Sequence, residues 1–216
     1  MKVIAVIPAY NERKTIAEVV KRTRKFVDKV VVIDDGSKDN TGELARKEGA
    51  KVLVNKQNMG VGYSKRRGIK TAIEFGADII VTLDADLQHS PEDIPRFVKK
   101  VKEGYDFVLG SRNLEKYPWI KKFGNFCLNN LTNFICGTKL KDTESGYKAF
   151  SAEAAKKMNL KAKGYHIESE IVYEVGKNKL RYTTIDIQSP VYRKGVTVLG
   201  GIKNFIYLLK KKKSDL

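Results

Sequence analysis

The chain has 216 residues, 42% of them hydrophobic, which suits one large domain with a real core. Its 42 Lys and Arg against 25 Asp and Glu leave a net charge of +17, which predicts an anionic partner: nucleic acid, a phosphate-bearing substrate or an acidic membrane. Two cysteines, Cys127 and Cys136, exclude a disulfide scaffold, and no apolar run approaches the ~20 residues that span a bilayer.

Residues 2–7 form a β-branched apolar run that reads as a buried strand ending at Pro8. The run is too soon interrupted for a signal peptide, so a cytoplasmic chain without a transmembrane helix is expected. Ile16, Val19, Val20 and Phe26 set a helical pattern over residues 14–26, and Val30 to Ile33 is a second strand. Asp39 or Asn40 caps a helix over about 41–48. Residues 51–54 form a third strand, and the glycine-bearing loop Asn58-x-Gly60-x-Gly62 opens a helix to about residue 75. Ile79 to Leu83 is a fourth strand, Ser90 with Pro91 starts a helix, and Phe107 to Leu109 is a fifth strand. Residues 119–137 read as one or two helices that hold both cysteines as buried free thiols. Asp142 to Tyr147 is a loop leading into a short strand, residues 167–177 are helical, and Tyr182 to Ile187 are extended. From Leu199 the tail sets Ile202, Phe205, Ile206 and Leu209 on one helical face before Lys210 to Lys213. That pattern suits either an interfacial helix on an anionic leaflet or a docked helix with a basic end.

Strand and helix alternate at short intervals, which predicts an α/β fold with a mainly parallel, Rossmann-like sheet flanked by helices. Ligands of such sheets bind beyond the carboxyl ends of the strands. Three ends carry suitable chemistry: Pro8-Ala9-Tyr10-Asn11-Glu12, Asp34-Asp35-Gly36-Ser37 and Asp84-Ala85-Asp86. Asp84 and Asp86, one residue apart, are hard oxygen ligands for Mg²⁺ or Mn²⁺, with Gln88 as a neutral third. Asp34 or Asp35 suits ribose hydroxyls or a base edge, one of the two being structural. The glycine loop, with Lys65, Arg66 and Arg67 behind it, is a weak phosphate-binding candidate. His89 and His166 fit no zinc or nucleophile pattern and read as structural, while Glu168 and Glu170 face either an acceptor or solvent. The charge excess is uneven, +5 over residues 1–108 and +12 beyond, so the anion lies nearer the second half.

The ordered set Ile7-Pro8-Ala9-Tyr10-Asn11-Glu12, Val32-Ile33-Asp34-Asp35-Gly36-Ser37-x-Asp39-x-Thr41 and Asp84-Ala85-Asp86-Leu87-Gln88-His89 resembles the family-two glycosyltransferases of GT-A fold. Gly110-Ser111-Arg112 and Ser145-Gly146-Tyr147-Lys148 are similar to polyprenyl- or dolichyl-phosphate sugar synthases of mannose or glucose type. The resemblance implies a transferase domain over residues 1–197, with 198–216 as a basic amphipathic tail suited to a membrane. It implies that Pro8, Tyr10 and Glu12 contact the nucleotide of a GDP- or UDP-sugar, with Asp34 or Asp35 at base and ribose. It implies further that Asp84, Ala85 and Asp86 meet ribose and diphosphate, and that Asp86 with Gln88 holds Mg²⁺ or Mn²⁺. Arg112 would lie near the acceptor or donor phosphate, and Arg193 with Lys194 in a late basic loop over phosphates. Two departures stand out. Thr197 is followed by Val198 where the family often has lysine, and Lys121 and Lys122 replace an arginine-rich stretch.

The expected reaction is inverting transfer of a hexose to a polyprenyl or dolichyl phosphate at the cytoplasmic membrane face. A phosphate acceptor is already ionised and needs no strong base, in keeping with the absence of a triad. Transfer to a sugar hydroxyl would instead require a carboxylate such as Glu144, Glu168 or Glu170. A basic nucleic-acid-binding protein accounts for the charge but not for the acidic strand ends, so no nucleic-acid partner is expected.

Overall fold

The computed structural model describes residues 1–112, 119–187 and 198–215, with 119–123, 125 and 198–202 by backbone alone. Seven strands form one sheet: β1 (Val3–Ala9), β2 (Lys29–Asp34), β3 (Lys51–Val54), β4 (Ile79–Thr82), β5 (Phe107–Arg112), β6 (Lys148–Ser151) and β7 (Tyr182–Ile187). Their order is β3-β2-β1-β4-β6-β5-β7. β6 alone runs antiparallel, wedged between β4 and β5, with Ile80 opposite Phe150 and Phe107 opposite the same residue on the other side. Helices α1 (Ile16–Thr23), α2 (Thr41–Lys47), α3 (Val61–Glu74) and α4 (Ile94–Lys102) follow the first four strands. The second half adds α5 (Trp119–Cys136), α6 (Ala152–Lys157), α7 (Ile167–Lys177) and α8 (Val198–Ser214). The expected mainly parallel α/β sheet is therefore present.

The apolar strand runs exist because both sheet faces are covered. In β1, Ile4 and Val6 enter one core with α3, α5 and α7, while Val3, Ala5 and Ile7 enter a second core with α1 and α4. Gly68 lets α3 lie directly on the sheet, since a Cβ there would meet Val6 Cγ1 at 2.2 Å. Among the described residues no helix is long and apolar enough to cross a membrane.

Several boundaries differ from expectation. β1 continues through Pro8, whose nitrogen faces the β4 side, where pairing has already ended at Val6. α1 stops at Thr23 because the Lys25 and Phe26 N–H groups reach back to Arg22 and Thr23 in a tighter turn. Asp39 supplies the cap of α2 by accepting the Thr41 N–H at 3.0 Å. Ser90 does not cap an α-helix: Pro91–Asp93 is a 3₁₀ turn, and the Ser90 hydroxyl bonds Glu92 at 2.5 Å. The unexpected α6 is capped by Ser151, whose Oγ accepts from the Ala154 N–H at 3.1 Å. Both cysteines are free, but only Cys136 is buried, Cys127 being half-buried. α8 packs on α5 and α7, burying Asn204, Leu208 and Lys211. Lys211 turns inward to Glu170 at 2.9 Å and Glu174 at 3.0 Å, so one of the four tail lysines is committed to the interior.

Candidate active site

β2, β1 and β4 are adjacent and parallel, and β5 runs in the same direction beyond the antiparallel β6. The carboxyl ends of these four strands therefore open on one edge, together with the loop that enters β6. That edge gathers Pro8 and Tyr10, Asp34 and Asp35, Asp84 to Gln88, and Arg112. Pro8 is buried within its strand, whereas Tyr10 is exposed. Asn11, not singled out in the sequence, adopts a left-handed φ of 56°. Its N–H donates to Ser37 Oγ at 3.0 Å and its Oδ1 accepts the Lys38 N–H at 2.8 Å, tying the β1 end to the β2 end. Glu12 carboxylate accepts the Thr15 hydroxyl at 3.0 Å, and its N–H donates to Thr41 Oγ1 at 2.8 Å.

The two acids after β2 divide their work. Asp35 accepts from Asn55 Nδ2 at 2.6 Å, Met59 N–H at 3.0 Å and Gly60 N–H at 2.8 Å, and so holds the 55–60 loop. Asp34 accepts the Ser37 N–H at 2.9 Å. The phosphate-cradle expectation for the glycine loop fails on the same bonds, because its Met59 and Gly60 donors are spent on Asp35. The basic residues behind it are likewise engaged: Arg66 with the Ala162 carbonyl at 3.0 Å, Arg67 with the Val54 carbonyl at 3.0 Å, and Lys65 in the interior with Glu168.

The segment after β4 is a tight turn with Leu87 at a left-handed φ of 67°, a conformation costly for a branched side chain. It folds Gln88 back on Asp86, whose carboxylate accepts the Gln88 N–H at 3.0 Å and its side-chain amide. Ala85 is buried in the apolar core beneath. The Asp84 N–H donates to His89 Nδ1 at 3.1 Å, and the Asp84 carboxylate lies 3.9 Å from Lys65 Nζ. Gly146 backs that carboxylate, leaving no room for a Cβ, which would sit 2.7 Å from Oδ2. Burial opposes the charge of Asp84, but His89 when protonated, Lys65, Lys148 and Arg112 outweigh it and hold the carboxyl below its usual range. Burial also pushes the His89 imidazole below its ordinary value, against the pull of Asp84. At neutral pH His89 is therefore uncharged, accepting at Nδ1 and carrying its proton on Nε2. It packs on Tyr147 at 5.0 Å, the structural role expected for it.

Beneath Asp84 lies a charge network that no sequence signal announces. Lys65 and Lys148, both fully buried, donate to the two oxygens of Glu168, and Lys148 also donates to the Ser145 carbonyl. Glu168 and Glu170 are thus interior groups rather than a helix surface. Glu170 accepts the Ala162 N–H at 2.8 Å, the Tyr207 hydroxyl at 2.8 Å and Lys211. Burial pushes the Glu144 carboxyl up to about 7, while Ser169 and Lys148 pull it back. It accepts from Ser169 Oγ at 2.6 Å and from Asn204 Nδ2 of α8 at 2.8 Å.

Arg112, at the end of β5, makes a bidentate bond to Asp142, Nε at 2.7 Å and an Nη at 2.8 Å. Asp142 is therefore a positioning partner that sequence reading missed, thirty residues away in the chain. The Lys121 and Lys122 side chains, and Arg193 with Lys194, lie outside the described residues. Among the described residues no three His, Cys, Asp or Glu side chains gather as a metal cage. A divalent ion fits this edge in the other common manner, on one or two carboxylates with substrate phosphates completing its shell. Asp86 with the adjoining Gln88 amide has hard oxygens of the kind such an ion takes, whereas the Asp84 carboxylate already lies 3.9 Å from Lys65.

Residues 4–158 match the model of glycosyl transferase family 2. An uncharacterised protein of Methanocaldococcus jannaschii is 39% identical over 98% of this chain and 92% of its own length. The UDP-N-acetylglucosamine–dolichyl-phosphate N-acetylglucosaminyltransferase of Methanococcus voltae is 36% identical over 96% of this chain and 94% of that one. Among solved structures, glucosyl-3-phosphoglycerate synthase of Mycobacterium tuberculosis, in complex with Mg²⁺ and uridine diphosphate, superposes with a TM-score of 0.79. It covers 96% of this chain and 79% of that one at 22% identity, a likeness of fold.

Proposed function

The chain belongs to glycosyl transferase family 2, and from that premise we propose that it moves a hexose from a GDP- or UDP-sugar to a polyprenyl or dolichyl phosphate, inverting the anomeric centre. The observation that carries the reading is the shared edge of β1, β2, β4 and β5, where Asp34, Asp86 and Arg112 follow or end their strands. The lipid acceptor is supported by the relatives: besides the Methanococcus voltae enzyme, a dolichol-phosphate mannosyltransferase of Pyrococcus furiosus is 30% identical over 96% of this chain and 62% of its own.

In this reading Tyr10 and Glu12 border the nucleotide beside the buried Pro8, and Asp34 takes base and ribose, since Asp35 is committed to the 55–60 loop. Asp84 and Ala85 shape the floor under ribose and diphosphate. Asp86 and Gln88 would hold Mg²⁺ or Mn²⁺, which would offset the charge that grows on the leaving diphosphate. An acceptor phosphate oxygen forms the new bond at the anomeric carbon as the bond to the diphosphate breaks, and the nucleoside diphosphate departs with that electron pair. Arg112, held in orientation by Asp142, stabilises phosphate charge, with Lys121, Lys122, Arg193 and Lys194 as further cations of the acceptor side. Residues 1–197 carry the transferase, and the basic tail 198–216 keeps the protein peripheral on the cytoplasmic membrane face.

Incubation with labelled GDP-mannose, UDP-glucose and UDP-N-acetylglucosamine, with and without polyprenyl phosphate and Mn²⁺, tests the proposal. Labelled lipid that needs both additions is expected; label on a sugar without lipid would contradict it. That second outcome has one feature in its favour, the raised Glu144 carboxyl, which would then serve as base. Glu144→Gln would abolish transfer to a hydroxyl and leave transfer to a phosphate largely intact.

A further inference from the structure

Large apolar side chains exposed at the described surface concentrate on two helices. Phe126 (65%), Leu131 (44%) and Phe134 (87%) lie on α5, and Ile206 and Leu209 (46% each) on α8. The two helices pack together, with Lys212 Nζ donating to the Ile135 carbonyl at 3.3 Å. At helical spacing Phe126, Asn130 and Phe134 follow one exposed line, with Leu131 beside it, while Thr132, Ile135 and Cys136 face the core. On α8, Asn204, Leu208 and Lys211 face inward, and Lys203, Lys210, Lys212 and Lys213 stand exposed around Ile206 and Leu209. Neither helix contains an acidic residue.

We propose that the outer faces of α5 and α8 together form the surface on which this protein rests against an anionic phospholipid bilayer. Exposed aromatic and aliphatic groups gathered on two packed helices suit an interaction site rather than ordinary surface. Phenylalanines suit the boundary between headgroups and acyl chains, and long lysines lay their stems on apolar groups while their ammonium heads meet lipid phosphate. A second copy of the chain fits worse, because a two-fold contact would set the lysine-rich face of α8 against itself.

The placement deepens the lipid-acceptor reading and draws its purpose from it. Asn129 of α5 accepts the Thr143 N–H at 3.0 Å and donates to the Leu140 carbonyl at 2.9 Å. Asn204 of α8 donates to Glu144 at 2.8 Å. Both helices are thus bonded to the segment that contains Asp142, the partner of Arg112. A bilayer against them would bring a lipid phosphate toward the strand-end edge without withdrawing its chain from the membrane.

Co-sedimentation of the full chain with vesicles of phosphatidylcholine, or of phosphatidylcholine with about a third phosphatidylglycerol, tests the surface. The wild type is expected to bind the anionic vesicles. Phe126→Ser with Phe134→Ser should lower partition about tenfold on them. Lys210→Ser with Lys213→Ser should lower it about twentyfold on anionic vesicles and leave neutral ones little changed. All four side chains are exposed, and thermal unfolding checks that the variants fold. As an independent readout, Phe134→Trp should give emission that shifts to the blue on vesicle addition and is quenched by brominated lipid. Failure of the wild type to bind, unchanged partition of the phenylalanine variant, or unchanged emission from Phe134→Trp would each overturn the proposal. So would light scattering that shows a wild-type dimer made monomeric by the phenylalanine substitutions, which would give the face to a second copy. Vesicle binding without sugar transfer would leave the surface standing and sink the transferase reading alone.

Discussion

The edge built by β1, β2 and β4 and the interior between α3, β6, α7 and α8 hold their polar groups by different means. In the first, an acid at a strand end accepts N–H groups from the next loop: Asp34 from Ser37, and Asp35 from Met59 and Gly60. The donors there are mainly backbone N–H groups, and both acids are buried at the strand end. In the second, buried ammonium groups are balanced by buried carboxylates, as in Lys65 with Glu168, Lys148 with Glu168, and Lys211 with Glu170. A donor site for a nucleotide needs a stiff rim of backbone and acids. The second half of the chain carries most of its excess charge, and buried pairs hold the groups around them.

Substitutions can break this contrast. The largest effect is expected at the rim: Asp86→Ala should lower metal-dependent transfer by at least about 10³-fold with the fold intact, read as initial rate against Mn²⁺ concentration. Glu168→Met should cost about 3–5 kcal/mol in denaturant unfolding, because it strands two buried ammonium groups. Asp35→Ala, its counterpart at the rim, should cost about 1–3 kcal/mol, the desolvation of donors left unmatched. If Asp35→Ala proved the costlier of the two, the division between backbone-donor and ion-pair bonding would fall. A further effect is a pH dependence. Glu144 has a folded value of about 7 against an ordinary 4.5, so its contribution to stability is complete below about 4.5 and is lost as pH rises through 7. Glu144→Gln should flatten that part of the profile of melting temperature against pH.

The same contrast explains what the chain disclosed in advance. β1 to β4 and their helices are consecutive units, each marked by a continuous β-branched run and a polar turn, and their ends named the edge correctly. β6 could not be anticipated between β4 and β5, since its partners are Ile79–Thr82 and Phe107–Leu109, far back in the chain. Lys65 read as a basic side chain behind the glycine loop and Lys148 only as part of a motif, because their burial depends on a partner, Glu168, that neighbours neither in sequence. α6 escaped because six residues rich in alanine and lysine carry no apolar period. Asp142 escaped for the reason Glu168 did: its bond to Arg112 is made only once β5 and the β6 loop are side by side.

The central claim is that the turn after β4 is where a metal ion and the donor diphosphate meet. Calorimetric titration of UDP and GDP into the wild type and Asp86→Ala, with and without Mn²⁺, tests it directly. At least one nucleotide is expected to bind the wild type in a Mn²⁺-dependent manner, and Asp86→Ala to lose the Mn²⁺-dependent part. Binding indifferent to Mn²⁺, or equal in the two proteins, would contradict it.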